Sequence, residues 1–209
     1  MSSNKIEKIV VGLTGGIACG KSVALDFFRA SGAGVVSTDV IAHRLINQND
    51  EVKGALRKEF GDDIFSVEGT VDKRHLGHLV FSNPLQRRRL EDILHPLIRT
   101  EWLHALTVHE ENLVVVELPL LFENSLESEF GFVVSIFSNP INQMHRLLER
   151  GLDQSEARNR LDSQLPTELK ALRADFVLLG DGEPSFLGKQ VERLCRHFLF
   201  PAFPISTSS

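Results

Sequence analysis

Four residues in the string Gly15-Gly16-Ile17-Ala18-Cys19-Gly20-Lys21-Ser22 fit the G-x-x-x-x-G-K-[ST] spacing that holds phosphate. From Gly15 to Val23 the binding groups are backbone N–H, which converge into a nest for a β-phosphate at the positive end of the helix that follows. The Cys19 side chain is incidental to such a nest. Lys21 offers a compact charge able to follow the β- and γ-phosphates, and the Ser22 hydroxyl suits Mg²⁺. The pattern implies a nucleoside triphosphate held with its metal, and it leaves the phosphoryl acceptor open.

Other residues bear on that acceptor. Asp39 stands at the expected end of the second strand, where a carboxylate can take the proton of an attacking hydroxyl. It would equally serve as the N-cap of a helix beginning at Val40. Thr14, just before the loop, either hydrogen-bonds substrate or ends its strand. Glu117 closes an apolar run and could reach Mg²⁺ through water, or simply end the run, and Glu123 is better placed for substrate. Arg146, Arg150 and Arg160 are close in sequence where a lid would fold over the triphosphate and stabilise spreading charge. Arg87-Arg88-Arg89 reads as a solvated face of the insertion helix, with contact to an anionic substrate as the alternative. The eight histidines show no metal-ligand spacing, but His95 precedes Pro96, which would break a helix and present the imidazole.

These groups need a frame. The continuous apolar run Ile6 to Leu13 predicts a strand of a parallel sheet, Ser22 to Ser31 a helix, and Gly34 to Thr38 a second strand. That is a βαβ opening. Val40 to Glu111 has helical stripes and little strand character, as an insertion beside the sheet would. Strands are expected again at Leu113 to Leu118, Phe132 to Phe137 and Asp175 to Leu179, with helices over Pro140 to Arg150 and up to about Phe198. The βαβ opening predicts an α/β protein, and a chain of 209 residues, 42% hydrophobic and 24% charged, has the composition of an ordinary soluble globular one. Its net charge of −5 argues against nucleic-acid binding, which needs Lys and Arg to neutralise phosphate. No run is long and apolar enough for a membrane span, no targeting peptide is evident, and two cysteines make no disulfide framework, so a cytoplasmic location is expected.

The ordered set resembles the dephospho-coenzyme A kinases. Gly12-Leu13-Thr14-Gly15-Gly16-Ile17 through Ser22 is similar to that family's opening G-L-T-G-G-I-G-S-G-K-S. Ser37-Thr38-Asp39 with Ile41-Ala42 resembles its D-A-D-x-I-A. Leu90-Glu91 with Ile93-Leu94-His95-Pro96 resembles L-E-x-I-L-H-P, and Pro119-Leu120-Leu121-Phe122-Glu123 resembles P-L-L-F-E. Gln143, Arg146, Arg150, Arg160 and Gln164 are similar to its lid pattern. The resemblance runs from about Ile9 to Val191.

It implies a P-loop kinase fold: a five-stranded parallel core (1–39, 112–139 and 165–201), a helical coenzyme A-binding domain (40–111) and a lid (140–164); separately, the end of the sequence (202–209) is expected to be a disordered tail. The implied reaction carries the γ-phosphoryl of ATP, with Mg²⁺, to the ribose 3′-hydroxyl of dephospho-coenzyme A in a monomeric enzyme. Asp39 would be the base, Lys21 the phosphate lysine and Arg146 the leading lid residue. Thr14, Asp39, His95, Pro119, Leu120 and Glu123 would contact the acceptor. Ser37 replaces the first Asp of D-A-D, Lys73 an Arg, Gly180 an Asn near the adenine, and Ala18-Cys19 the usual Gly-Ser. The alternative is another small P-loop kinase acting on a nucleoside or nucleoside monophosphate. No N-K-x-D segment supports a GTPase, and an inactive nucleotide binder remains as a third class.

Overall fold

The computed structural model describes residues 8–200. Five strands, β1 (Ile9–Gly15), β2 (Gly34–Ser37), β3 (Leu113–Glu117), β4 (Phe132–Phe137) and β5 (Phe176–Leu179), form one parallel sheet in the order β2-β3-β1-β4-β5. β3 is buried along its whole length, which is why its sequence runs apolar without alternation. Successive residues still face opposite layers. Val114 and Val116 point into one cluster with Trp102, while Val115 joins Val11 and Leu13 in the other.

Two helices, α1 (Lys21–Ala30) and, at the chain's far end, a helix over Pro184–Leu199, cover that second face through Phe28, Val191 and Phe198. On the opposite face lie α2 (Thr38–Gln48), α3 (Asp50–Phe60), α4 (Lys73–Ser82) and α5 (Pro84–Val108). Asn49, Asp72 and Asn83 cap the last three of these by accepting hydrogen bonds from backbone N–H. After β4 come α6 (Pro140–Glu149), α7 (Gln154–Asp162) and α8 (Thr167–Arg173), and Pro184–Leu199 is α9.

The sheet's connections leave β1 and β3 in opposite directions, so a crevice opens between their carboxyl ends. Register puts Leu13 beside Glu117 and Glu117 beside Ser37, which brings the start of the phosphate loop level with the ends of β2 and β3.

The structure changes three boundaries. Strand β2 stops at Ser37, and Thr38 and Asp39 already belong to the first turn of α2. Pro96 does not break α5, which continues for 25 residues. A proline inside a helix costs about 3 kcal/mol, offset here by the burial of Leu94 and Trp102 on either side of it. The charged stretch after Gly151 contains two short helices, α7 and α8, that lack a strong apolar stripe. The expected start of β1 at Ile6, the core residues 1–7 and 201, and the expected tail at 202–209 lie outside the described residues. Among the described residues, no helix is long and apolar enough to cross a membrane.

Candidate active site

Gly15 has φ 140° and pairs with Ile136, and a Cβ there would overlap the Ile136 carbonyl oxygen. Only glycine fits this turn from strand into loop. Gly20 begins α1 with no side-chain cap, leaving the helix's first N–H groups for an anion. Ser22 and Val23 are exposed at that end. Lys21 is folded back and buried, its Nζ donating to the carbonyls of Gly15 (3.1 Å) and Gly16 (2.9 Å).

The loop is braced from behind by α6. Gln143 Nε2 donates to Ile17 O (2.6 Å), and Arg146 donates to Ala18 O (2.9 Å), Gly180 O (2.8 Å) and Ser138 Oγ (3.3 Å). With the Ile17 and Ala18 carbonyls held outward, the loop's N–H groups can face a phosphate, except that of Cys19, which donates to Gly16 O at 3.3 Å. Ser138 also donates to Asp181, which accepts from Asn139 N at 2.9 Å. Burial would raise the Asp181 carboxyl, but these bonds, with one from Asn142 and the Arg146 charge, leave it below the ordinary range. Gly180 has no room for a side chain, because its Cβ would overlap the Cys19 carbonyl oxygen. The glycine that departs from the resembled pattern is thus a steric requirement of this loop. Cys19 is fully buried, its Sγ 3.6 Å from Thr167 Oγ1, and burial raises its thiol pKa, so it is packing and not a nucleophile.

Ala18 holds φ 60°, in the left-handed region. Ala18→Gly is therefore expected to stabilise the fold by about 0.5–1 kcal/mol. Thermal unfolding should show it as a rise in Tm of about 1–4 °C. An unchanged or lower Tm would show that the loop carries no such strain.

The three arginines expected over the triphosphate do not converge. Arg146 lies against the loop's carbonyls, Arg150 is exposed at the end of α6, and the Arg160 guanidinium sits 4.9 Å from the Phe81 ring of α4. After the turn at Gly151, α7 packs its Ala157 with Leu147 against Ala18 of the loop, while its Arg160 is turned to α4 of the helical block.

On the acceptor side, Glu117 is 2% exposed, and its Oε2 accepts from Ser37 Oγ (2.7 Å) while its carbonyl accepts from Thr38 Oγ1 (2.8 Å). Burial raises its pKa, the Ser37 bond opposes this and the Asp39 charge adds to it. Ser37 also caps α2, accepting from Val40 N at 3.4 Å. The cap is Ser37 and not Asp39, so the Asp39 carboxylate is left for other work. Asp39 reaches solvent but borders a protein-walled cavity. This surround raises its pKa, and the Lys21 charge pulls the other way.

That cavity has a volume of about 380 Å³. Asp39 and Thr38 stand at its sheet end, and Phe81, Leu90, Ile98, Trp102, Leu118 and Leu126 supply most of its wall. Along α5, Arg87, Glu91, His95 and Arg99 repeat every fourth residue and face it as one polar stripe. His95 therefore reaches the cavity from an unbroken helix, and Arg87 leaves the solvated face expected of it. Pro119 and Leu120 line the cavity too. Thr14 is buried, its Oγ1 3.4 Å from Pro119 O. Glu123 does not line it; it accepts from Leu165 N (2.9 Å) and pairs with Lys170 (2.8 Å). Arg99, Trp102 and Lys170 were not singled out from sequence. The four-residue spacing on α5 was a readable signal for the first, whereas the other two depend on long-range packing.

The family model described as Dephospho-CoA kinase matches residues 9–185. A dephospho-CoA kinase of Anaeromyxobacter dehalogenans is 39% identical over 189 residues, covering 88% of this chain and 90% of the relative. That of Bdellovibrio bacteriovorus is 33% identical, covering 89% and 94%. A solved Thermus thermophilus structure superposes with a TM-score of 0.75 at 30% identity, covering 91% of this chain and 98% of that one. A dephospho-CoA kinase from Campylobacter jejuni gives 0.63 at 28% identity, covering 90% and 96%. A shikimate kinase from Acinetobacter baumannii, 13% identical with a TM-score of 0.52, covers 94% and 96% and shares the fold alone.

Proposed function

Because the chain belongs to the dephospho-CoA kinase family, we propose that its cavity holds dephospho-coenzyme A with the ribose 3′-hydroxyl toward Asp39. The fold is that of a P-loop kinase, and the enzyme uses ATP. The observation carrying this reading is the largely apolar cavity that opens on Asp39 beside the phosphate loop, edged by the basic groups of α5. Asp39 orients the hydroxyl and accepts its proton as the γ-phosphoryl moves. Lys21 turns from the loop carbonyls toward the β- and γ-phosphates. Arg146 and Gln143 keep the loop's N–H groups aimed at the β-phosphate and help shape the nucleobase side with Gly180.

Mg²⁺ fits this site as an ion that arrives with the triphosphate. Among the described residues no three His, Cys, Asp or Glu side chains are grouped to hold a metal alone, whereas the Ser22 hydroxyl is open at the loop. Ser22 would be its direct protein ligand, with Glu117 reaching it through water, and the bound ion would neutralise charge on the transferring phosphate. We assign 40–111 to acceptor binding and 140–164 to the lid, and infer that the enzyme works as a cytoplasmic monomer, without nucleic-acid or membrane partners.

The test offers purified protein MgATP with dephospho-coenzyme A, a nucleoside panel or a nucleoside monophosphate panel, and follows ADP release. Stimulation by dephospho-coenzyme A, giving coenzyme A, is the expected result. Stimulation only by a nucleoside or monophosphate would favour the other kinase reading, and no stimulation the inactive binder.

A further inference from the structure

Lys170 is a cation that the proposed transfer step does not use. Its side chain is 0% exposed, a rare state for lysine unless it is paired. Its Nζ donates to Pro119 O at 2.6 Å and lies 2.8 Å from Glu123 Oε1. Pro119 O is also the atom facing Thr14 Oγ1, and Glu123 Oε1 also accepts from Leu165 N. Two side chains on α8 and the β3 exit thus tie together three segments: the residue before the first loop glycine, the Pro119-Leu120 wall of the acceptor cavity, and the chain leaving the lid. Ser163 and Gln164, next to Leu165, line that same cavity.

A purely structural staple would be expected to satisfy its own polar atoms. This one does not. Among the described residues, Glu123 Oε2 is buried without a hydrogen-bond partner, and so is Gln164 Oε1 in the cavity wall. The pair's bonds also end on main-chain atoms of the wall and the lid exit, not on neighbouring core side chains. An ion pair buried for stability alone is replaceable by apolar residues with little loss. We propose that the Lys170–Glu123 pair is a positioning device that fixes the acceptor wall relative to the phosphate loop and couples seating of the lid end to acceptor binding.

This inference rests on the dephospho-CoA kinase reading. Dephospho-coenzyme A enters against the Pro119-Leu120 wall and Gln164, and the pair holds that wall where the hydroxyl meets Asp39. Neither residue touches the reacting atoms.

The experiment uses the full chain and three proteins: wild type, Lys170→Arg, and the double variant Lys170→Met/Glu123→Met, which leaves no unpaired buried charge. The double variant is expected to keep its Tm and its affinity for a fluorescent ATP analogue, while kcat with dephospho-coenzyme A falls about 100-fold, as a displacement on the order of 1 Å would cause. KM for the acceptor should rise, and Lys170→Arg should recover much of kcat. Wild-type kcat and KM in the double variant would overturn the proposal, as would losses of Tm and analogue affinity in step with kcat. Failure of the wild type itself to phosphorylate dephospho-coenzyme A would instead bring down the underlying reading, and this proposal with it.

Discussion

Asp39→Asn is expected to lower turnover of dephospho-coenzyme A by about 100- to 10,000-fold, with ATP affinity nearly unchanged. The substitution is isosteric and leaves the first turn of α2 intact, because Ser37 makes the cap. What it removes is a carboxylate at the mouth of the cavity, next to the field of Lys21. The surrounding protein raises this pKa, so the base should be lost on acidification sooner than an ordinary aspartate would be. The acid limb of kcat/KM should accordingly lie above the usual Asp range and vanish in the variant.

The same shift has a stability sign. An acid whose folded pKa exceeds its unfolded value binds more protons when folded. Stability therefore falls as pH rises through the interval between the two values, and at neutral pH the charge is a cost. Asp39→Asn should leave Tm unchanged or slightly raised, the gain kept small because the residue reaches solvent. Steady-state kinetics, an ATP-analogue titration and a melting curve test these together. Near-normal turnover would remove Asp39 from the base role, and a collapse of Tm would mean the loss is structural.

Lys21→Met should lower kcat by about 100- to 1,000-fold, the size found when one preorganised donor to developing charge is removed. Unlike the Asp39 variant, it should also weaken ATP, since it removes the ammonium that is to leave the Gly15 and Gly16 carbonyls for the β- and γ-phosphates. Lys21→Arg is not expected to rescue. A planar guanidinium does not replace a compact ammonium that must swing from the loop carbonyls to the β- and γ-phosphates. Turnover within tenfold of wild type in Lys21→Met would show that the helix N-terminus alone suffices for the phosphates. Taken together the two variants should separate, one failing chiefly at the acceptor and the other at nucleotide and transfer alike.

Much of this architecture was readable from local pattern. Apolar runs gave β3 and β4, and the glycine spacing located the phosphate loop between β1 and α1, because both signals are short-range. The position of Asp39 was right to within a turn, but its strand-end placement was not; a Ser at 37 caps as well as an Asp, and a cap decides where a strand ends. Pro96 misled because sequence shows the missing N–H and hides the packing around Leu94 and Trp102. Helices α7 and α8 were missed since both are short and polar. The three arginines were grouped by sequence proximity, a poor guide across the turn at Gly151. Lys170 has no local signature at all. Its meaning lies in Pro119 and Glu123, about fifty residues earlier in the chain.

The brace on the phosphate loop has a thermodynamic consequence. Gln143 and Arg146 pin the Ile17 and Ala18 carbonyls in the folded protein itself, so the nest has its binding shape before any nucleotide arrives. The entropy of ordering the loop is then met during folding and not at the moment of binding. Nucleotide affinity becomes tied to the integrity of one helix. Heat or denaturant sufficient to loosen α6, yet too mild to melt the sheet, should raise the Kd for ATP while far-ultraviolet circular dichroism still reports a folded enzyme.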